Sequence, residues 1–171
     1  MIEANQQLNE YFSKAYDDFS DAIFRYCQYQ TSNREKALDL TAETFTKTWE
    51  YISNGKKLDN IRAFLYRVAN NLIIDDRRKK KSSSLDDIME KGFDVEDEKD
   101  EAEEHENKFE SKMAIEAVQK LDEKYRDVLM YKFVEEMSIK EIAEITGESA
   151  NNISVRINRA MKMLKEIVGV E

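Results

Sequence analysis

Apolar residues recur at three- and four-residue steps along both ends of the chain, and the period lapses between Ser82 and Glu110. Leu8, Phe12, Ala15, Phe19, Ile23 and Tyr26 form one stripe over 5–29, because residues so spaced share one face of a helix. The same period predicts helices over 33–53 and 60–80. Their expected core residues are Phe45 and Trp49, then Phe64, Leu65, Val68, Leu72 and Ile73, with Tyr66 suited equally to packing or stacking. Thr31-Ser-Asn-Arg and Asn54-Gly-Lys-Lys supply caps and turns between them. Beyond the gap the period resumes in four runs: Met113, Val118 and Leu121; Val128, Leu129 and Phe133; Ile139, Ile142, Ala143 and Ile145; Ile153, Ile157, Met161 and Leu164.

Residues 82–110 hold 13 acidic and 3 basic side chains and few apolar ones, too little buried surface to offset chain entropy. The expected architecture is all-α: a helical bundle over 1–81, a flexible acidic linker over 82–110, and a second small helical domain over 111–171. No proline, four glycines and 37% charged residues point the same way, since hairpin-rich folds need more turn-makers.

Dividing the charge changes its meaning. The total of −9 is unpromising for nucleic acid, but 1–81 holds 14 basic and 12 acidic groups and 111–171 holds 10 and 11. The linker alone therefore carries −10. Basic residues cluster at Arg77 to Lys81 and at Arg156, Arg159, Lys162 and Lys165, so an acidic total does not exclude a polyanionic partner. A single cysteine, no secretory leader pattern and no apolar run long enough to span a bilayer lead to an expected cytoplasmic location without membrane insertion. No catalytic constellation, metal-ligand cluster or glycine-rich phosphate loop is visible. His105 sits in the acidic run and Cys27 on a helix, expected to be solvated and buried respectively. Neither catalysis nor a cofactor or metal is expected.

The most specific local signal runs from Ser138 to Glu166, with the spacing of a helix-turn-helix. Ser138 and Glu141 suit a capping box. Gly147 stands where the turn needs a left-handed backbone, and Ile153 anchors the second helix on the first. Ser149 can cap that helix, placing Ala150, Asn151, Asn152, Ser154 and Val155 around its exposed N-terminal end, where base edges are read. Arg156 and Arg159 are placed for phosphates. An ordinary helical hairpin would share the glycine, but from Ser149 to Lys165 this helix carries four basic residues and no acidic one.

ALDLTAETFTKTWEYI (37–52) followed by DNIRAFLYRVANNLIIDDRRKKK (59–81) resembles region two of the extracytoplasmic-function sigma factors, and the C-terminal segment from Ala114 to Val168 resembles their region four. The two lie in the family's order with an acidic segment between. The resemblance implies a promoter-recognition subunit whose partners are core RNA polymerase and promoter DNA, with an anti-sigma factor as a further candidate. It implies polymerase docking through Asp39, Leu40, Glu43, Thr44 and Lys47. Recognition and melting of the minus-ten element fall to Arg62, Arg67, Asn70, Asn71, Arg78 and Lys79, with the loop 54–60 capturing a flipped base. Minus-thirty-five recognition falls to Ser149, Asn151, Asn152, Ser154, Val155, Arg156 and Arg159. Asp75 is expected to pair with a nearby arginine. The linker is either a spacer or a mimic of RNA in the polymerase cleft. Three positions depart from the family pattern: Ala42 for glutamine, Asp122 for proline, and Glu148 for an apolar residue, the last two expected to bear on local packing alone. The rival readings are a stand-alone helix-turn-helix regulator, which leaves the N-terminal half without a role, and a helical adaptor or anti-sigma module, which leaves the basic clusters unexplained.

Overall fold

A computed structural model describes residues 2–83 and 114–169, all helix, turn or short connection, with no strand among the described residues. The chain divides into two compact units, Met1–Val95 and Glu96–Glu171. The acidic segment lies outside the described residues except Ser82 and Ser83, which continue the third helix and do not begin a linker.

The first unit packs three helices, each against the other two: α1 (Ile2–Thr31), α2 (Arg34–Ser53) and α3 (Ile61–Ser83). Asn33 opens α2 by accepting the Lys36 N–H at 2.9 Å, and Asn60 opens α3 by accepting the Ala63 N–H at 3.0 Å; each satisfies an amide that has no partner within its helix. The α1 stripe delivers Ala15, Ile23 and Tyr26 to a core completed by Leu40, Phe45, Leu65 and Ile73. Tyr66 packs and does not stack outward: it is buried, its ring edge-on to Tyr26 at 5.3 Å. Phe12 meets Phe45 and Trp49 at 6.2 and 5.1 Å between centroids. Thr41, Thr44 and Thr48 enter this core by donating their hydroxyls to carbonyls one turn back, at 2.7, 2.7 and 2.8 Å, so none of these three hydroxyls is buried unpaired.

The second unit contains a short helix over 114–119 (α4), then α5 (Glu123–Leu129), a π-helical turn (Met130–Val134), α6 (Ile139–Thr146) and α7 (Ala150–Val168). The π turn overturns one expectation. Phe133, which the helical period groups with the buried Val128 and Leu129, is 56% exposed, with Val134 beside it at 60%. The amide of Glu135 donates to the Met130 carbonyl at 3.0 Å, an i to i+5 bond that puts one extra residue into the turn. Met130, Tyr131 and Met137 are buried while Phe133 and Val134 rotate outward.

Candidate nucleic-acid and protein interfaces

The helix-turn-helix is set by contacts between near neighbours. Ser138 Oγ accepts the Glu141 N–H at 3.1 Å and the Glu141 carboxylate accepts the Ser138 N–H at 2.9 Å, closing the capping box of α6. Gly147, at φ +73°, ends α6 by donating its N–H to the Ala143 carbonyl at 2.9 Å. Two residues later Ser149 caps α7, its Oγ accepting the Asn152 N–H at 3.2 Å. Ile153, Ile157 and Ala160 are buried, and this seats α7 on the rest of the unit.

The opposite face of α7 is left open. Asn151, Asn152, Val155 and Arg159 are exposed, and Ser154 is half-buried at the edge. Asn158 and Lys162 share this exposed face; neither was singled out for base or phosphate contact, although the helical period already places them beside Asn151 and Val155. Arg156 is half-buried, and its guanidinium is paired within the unit: Nη1 and Nη2 donate to Oε1 and Oε2 of Glu148 at 2.6 and 2.5 Å. Glu148 is therefore a charge partner of α7 and not a matter of local packing alone. Arg156 lies at the margin of the buried stripe, and its long side chain folds back along the helix to the turn.

On α3, Arg67, Asn71, Arg78 and Lys79 are exposed, and steps of four and seven bring Arg67, Asn71 and Arg78 onto one face. Arg62 is half-buried near the helix start. Asn70 is half-buried and accepts the Tyr26 hydroxyl at 3.3 Å, a tie to α1 that turns its amide inward, away from the exposed face. Asp75 is exposed; the structural carboxylate is Asp76, paired with lysines and not with an arginine, Lys36 at 2.5 Å and Lys80 at 3.4 Å. Burial pushes the Asp76 carboxyl up, but the Lys36 hydrogen bond and the charges of Lys80 and Lys36 outweigh it and hold the group below the ordinary aspartate range. Arg77 donates to the Gln30 side-chain oxygen at 2.6 Å and its carbonyl at 3.3 Å. At the other end of α3, in the loop before it, Lys56 lies over the Tyr51 ring at 4.8 Å, and Tyr51 packs on Phe64 at 4.6 Å.

On α2 the five docking residues separate. Asp39, Glu43 and Lys47 are exposed, with Glu43 and Lys47 paired at 3.7 Å. Leu40 and Thr44 are 4% and 0% exposed, so neither touches a partner directly; they belong to the face of α2 that closes the bundle. The exposed neighbours that sequence reasoning missed are Tyr16 and Leu38, each 50% exposed. They border an open groove of about 650 Å³ that also takes in Phe24, Arg34 and Asp39. Leu38 falls off the buried stripe, which is the signal that could have marked it.

Cys27 is fully buried, and burial pushes its thiol up to about 11, with a hydrogen bond to Thr41 opposing weakly; such a thiol is not a ready nucleophile. Among the described residues no group of three or more His, Cys, Asp or Glu is placed to hold a metal ion, and no helix is long and apolar enough to cross a membrane. His105 lies outside the described residues.

The Sigma-70 region 2 family model matches residues 15–83, and the Sigma-70, region 4 model matches residues 111–164. The RNA polymerase sigma factor SigV of Bacillus subtilis is 28% identical over 153 residues, 86% of this chain and 85% of its own. The ECF RNA polymerase sigma factor SigW of the same organism is 27% identical over 168 residues, 91% and 87% of the two chains. In fold, the chain is similar to the sigma factor RpoE crystallised with the anti-sigma factor NepR from Bartonella quintana, with a TM-score of 0.75 at 19% identity over 94% of this chain and 98% of that one.

Proposed function

Because this chain belongs to the sigma-70 family as an extracytoplasmic-function sigma factor, an alternative sigma factor that directs transcription initiation, we propose how its surfaces divide that work. The bundle over 1–81 docks on core RNA polymerase and handles the minus-ten element, and the unit over 111–171 reads the minus-thirty-five element. Polymerase docking falls to Asp39, Glu43 and Lys47, with Leu40 and Thr44 acting from beneath by holding α2 in place. A face that mixes exposed charge with the apolar rim of Tyr16 and Leu38 suits a separable protein interface.

Opening the minus-ten element needs a surface that prefers single-stranded bases to the duplex. Arg67, Asn71, Arg78 and Lys79 supply cations and an amide along one helix, and Tyr51 with Phe64 supplies aromatic area beside the loop 54–60; stacking and backbone attraction are the two terms such binding uses. Asn70 and Arg77 act by positioning α3. In the second unit Asn151, Asn152, Ser154 and Val155 read bases, Ser149 presents them as the cap, and Arg159 with Lys162 takes phosphates. Bond formation between nucleotides belongs to the polymerase, in the cytoplasm. An anti-sigma factor is a fitting further partner, as NepR is for RpoE.

The observation that carries this reading is the exposed face of α7, free of acidic residues from Ala150 to Lys165 and held on a capped helix-turn-helix, in the same chain as a region 2 match. A stand-alone regulator would need neither docking residues on α2 nor a basic face on α3. The test is transcription by core polymerase reconstituted with this chain across a promoter library. Asn151→Ala and Asn152→Ala should change which upstream sequence is preferred, each by about 1–3 kcal/mol where the contact is bidentate. Arg159→Ala should weaken all sequences alike, because phosphate contacts position and base contacts specify. Operator binding without polymerase-dependent transcription would favour the regulator, and equal effects of all three changes would remove the base-reading assignment.

A further inference from the structure

The pair between Glu148 and Arg156 is more than the turn requires, since the capping box, Gly147, Ser149 and buried Ile153 already set it. Glu148 stands immediately ahead of the α7 cap, where the amide ends of the helix favour an anion, and both carboxylate oxygens engage the guanidinium at 2.6 and 2.5 Å. The two side chains are only 23% and 30% exposed, so salt screens this pair less than an open one. It is bidentate, the strongest arrangement open to an arginine and a carboxylate. Arg156 would otherwise be a fourth cation on α7 beside the exposed Arg159, Lys162 and Lys165.

We propose that Glu148 is a positioning residue that withholds Arg156 from DNA phosphates and so limits the duplex affinity of the second unit, leaving stable promoter binding to depend on the polymerase-bound state. This rests on the reading of α7 as a DNA-reading helix. An arginine closed on a carboxylate has no net charge to exchange for a condensed counterion, so one phosphate contact drops out of the binding equilibrium. The loss falls on all sequences alike, because a phosphate contact carries no base information.

The test measures association of the full-length chain, alone and with core polymerase, with two duplexes across a salt series: one carrying the upstream element preferred in the library and one scrambled. Glu148→Gln should raise affinity for both duplexes by the same factor and steepen the log–log salt slope by about 0.9, so that about three- to fourfold more affinity is lost between about 50 and about 200 mM salt than in the parent chain. Arg156→Gln alone should leave the parent slope unchanged, and added to Glu148→Gln it should restore that slope. Because Arg156→Gln reports independently, the test stands even where Glu148→Gln folds poorly. A parent slope flattened by Arg156→Gln would show that the arginine already reaches a phosphate, and weaker binding by a folded Glu148→Gln chain would show that the carboxylate presents it; either overturns the proposal. Sequence-dependent binding whose slope ignores both residues overturns the role of Glu148 alone, whereas no duplex binding in any form overturns the DNA-reading assignment as well.

Discussion

In the first unit the surface of α3 is oriented by contacts that reach across the bundle: Tyr26 to Asn70, Arg77 to Gln30, and Lys36 to Asp76. In the second unit the surface of α7 is oriented by partners no more than eight residues apart, Ser138 with Glu141, Ser149 with Asn152 and Glu148 with Arg156. The difference separates two ways of holding a polyanion-binding helix. The first makes its placement a property of the whole bundle, so a change on α1 or α2 can move the α3 surface. The second sets the turn and caps of the recognition helix within a short segment, while the buried face of α7 is still seated by packing on α5 as well as α6.

The largest test of this contrast is a pair of core truncations. Ile23→Ala and Ile153→Ala each empty a fully buried position and should cost about 2–5 kcal/mol. Trp49, the one tryptophan of the chain, lies in the first unit, so its fluorescence should report the Ile23→Ala loss and ignore the Ile153→Ala loss seen by helical circular dichroism. Equal shifts of the Trp49 transition would mean that the units unfold as one.

A smaller effect is expected at the long-range ion pair. Asp76→Asn should destabilise the first unit by about 1–3 kcal/mol. The folded Asp76 carboxyl sits below its unfolded range, so its contribution is fully present above the unfolded value near about 4 and is lost as pH falls through the folded one. The gap between parent and variant in denaturant midpoint should stay constant from neutral pH to about 5 and close below that. A gap that widens on acidification would reverse the assignment. Smallest is Ser138→Ala, which opens the local capping box and should cost about 1 kcal/mol, read as a loss in the second unit with Trp49 silent; a response of Trp49 would break the distinction between long-range and local control.

Much of the second unit was legible because its instructions are local. Ser138 with Glu141, Gly147, Ser149 and Ile153 could be assigned from spacing alone, and each occupies its expected position. The same method misplaced Phe133, because it assumes a constant 3.6-residue turn and the π turn adds a residue. It did not anticipate the pairing of Arg156 with Glu148, an eight-residue reach that skips the usual three- and four-residue partners. On α2 it grouped Leu40 and Thr44 with Asp39, Glu43 and Lys47 by motif, although the helix turns the first two inward.

Helix order, the core stripe of α1, the caps and the turn before α7 were written in the amino acids, since each depends on residues within one or two turns of one another. Which carboxylate anchors α3, whether Tyr66 packs or stacks, and which way Asn70 faces depended on partners more than 30 residues away on other helices. Such contacts follow from how three amphipathic faces close on one another, and a periodic pattern states that a face is buried without stating against what.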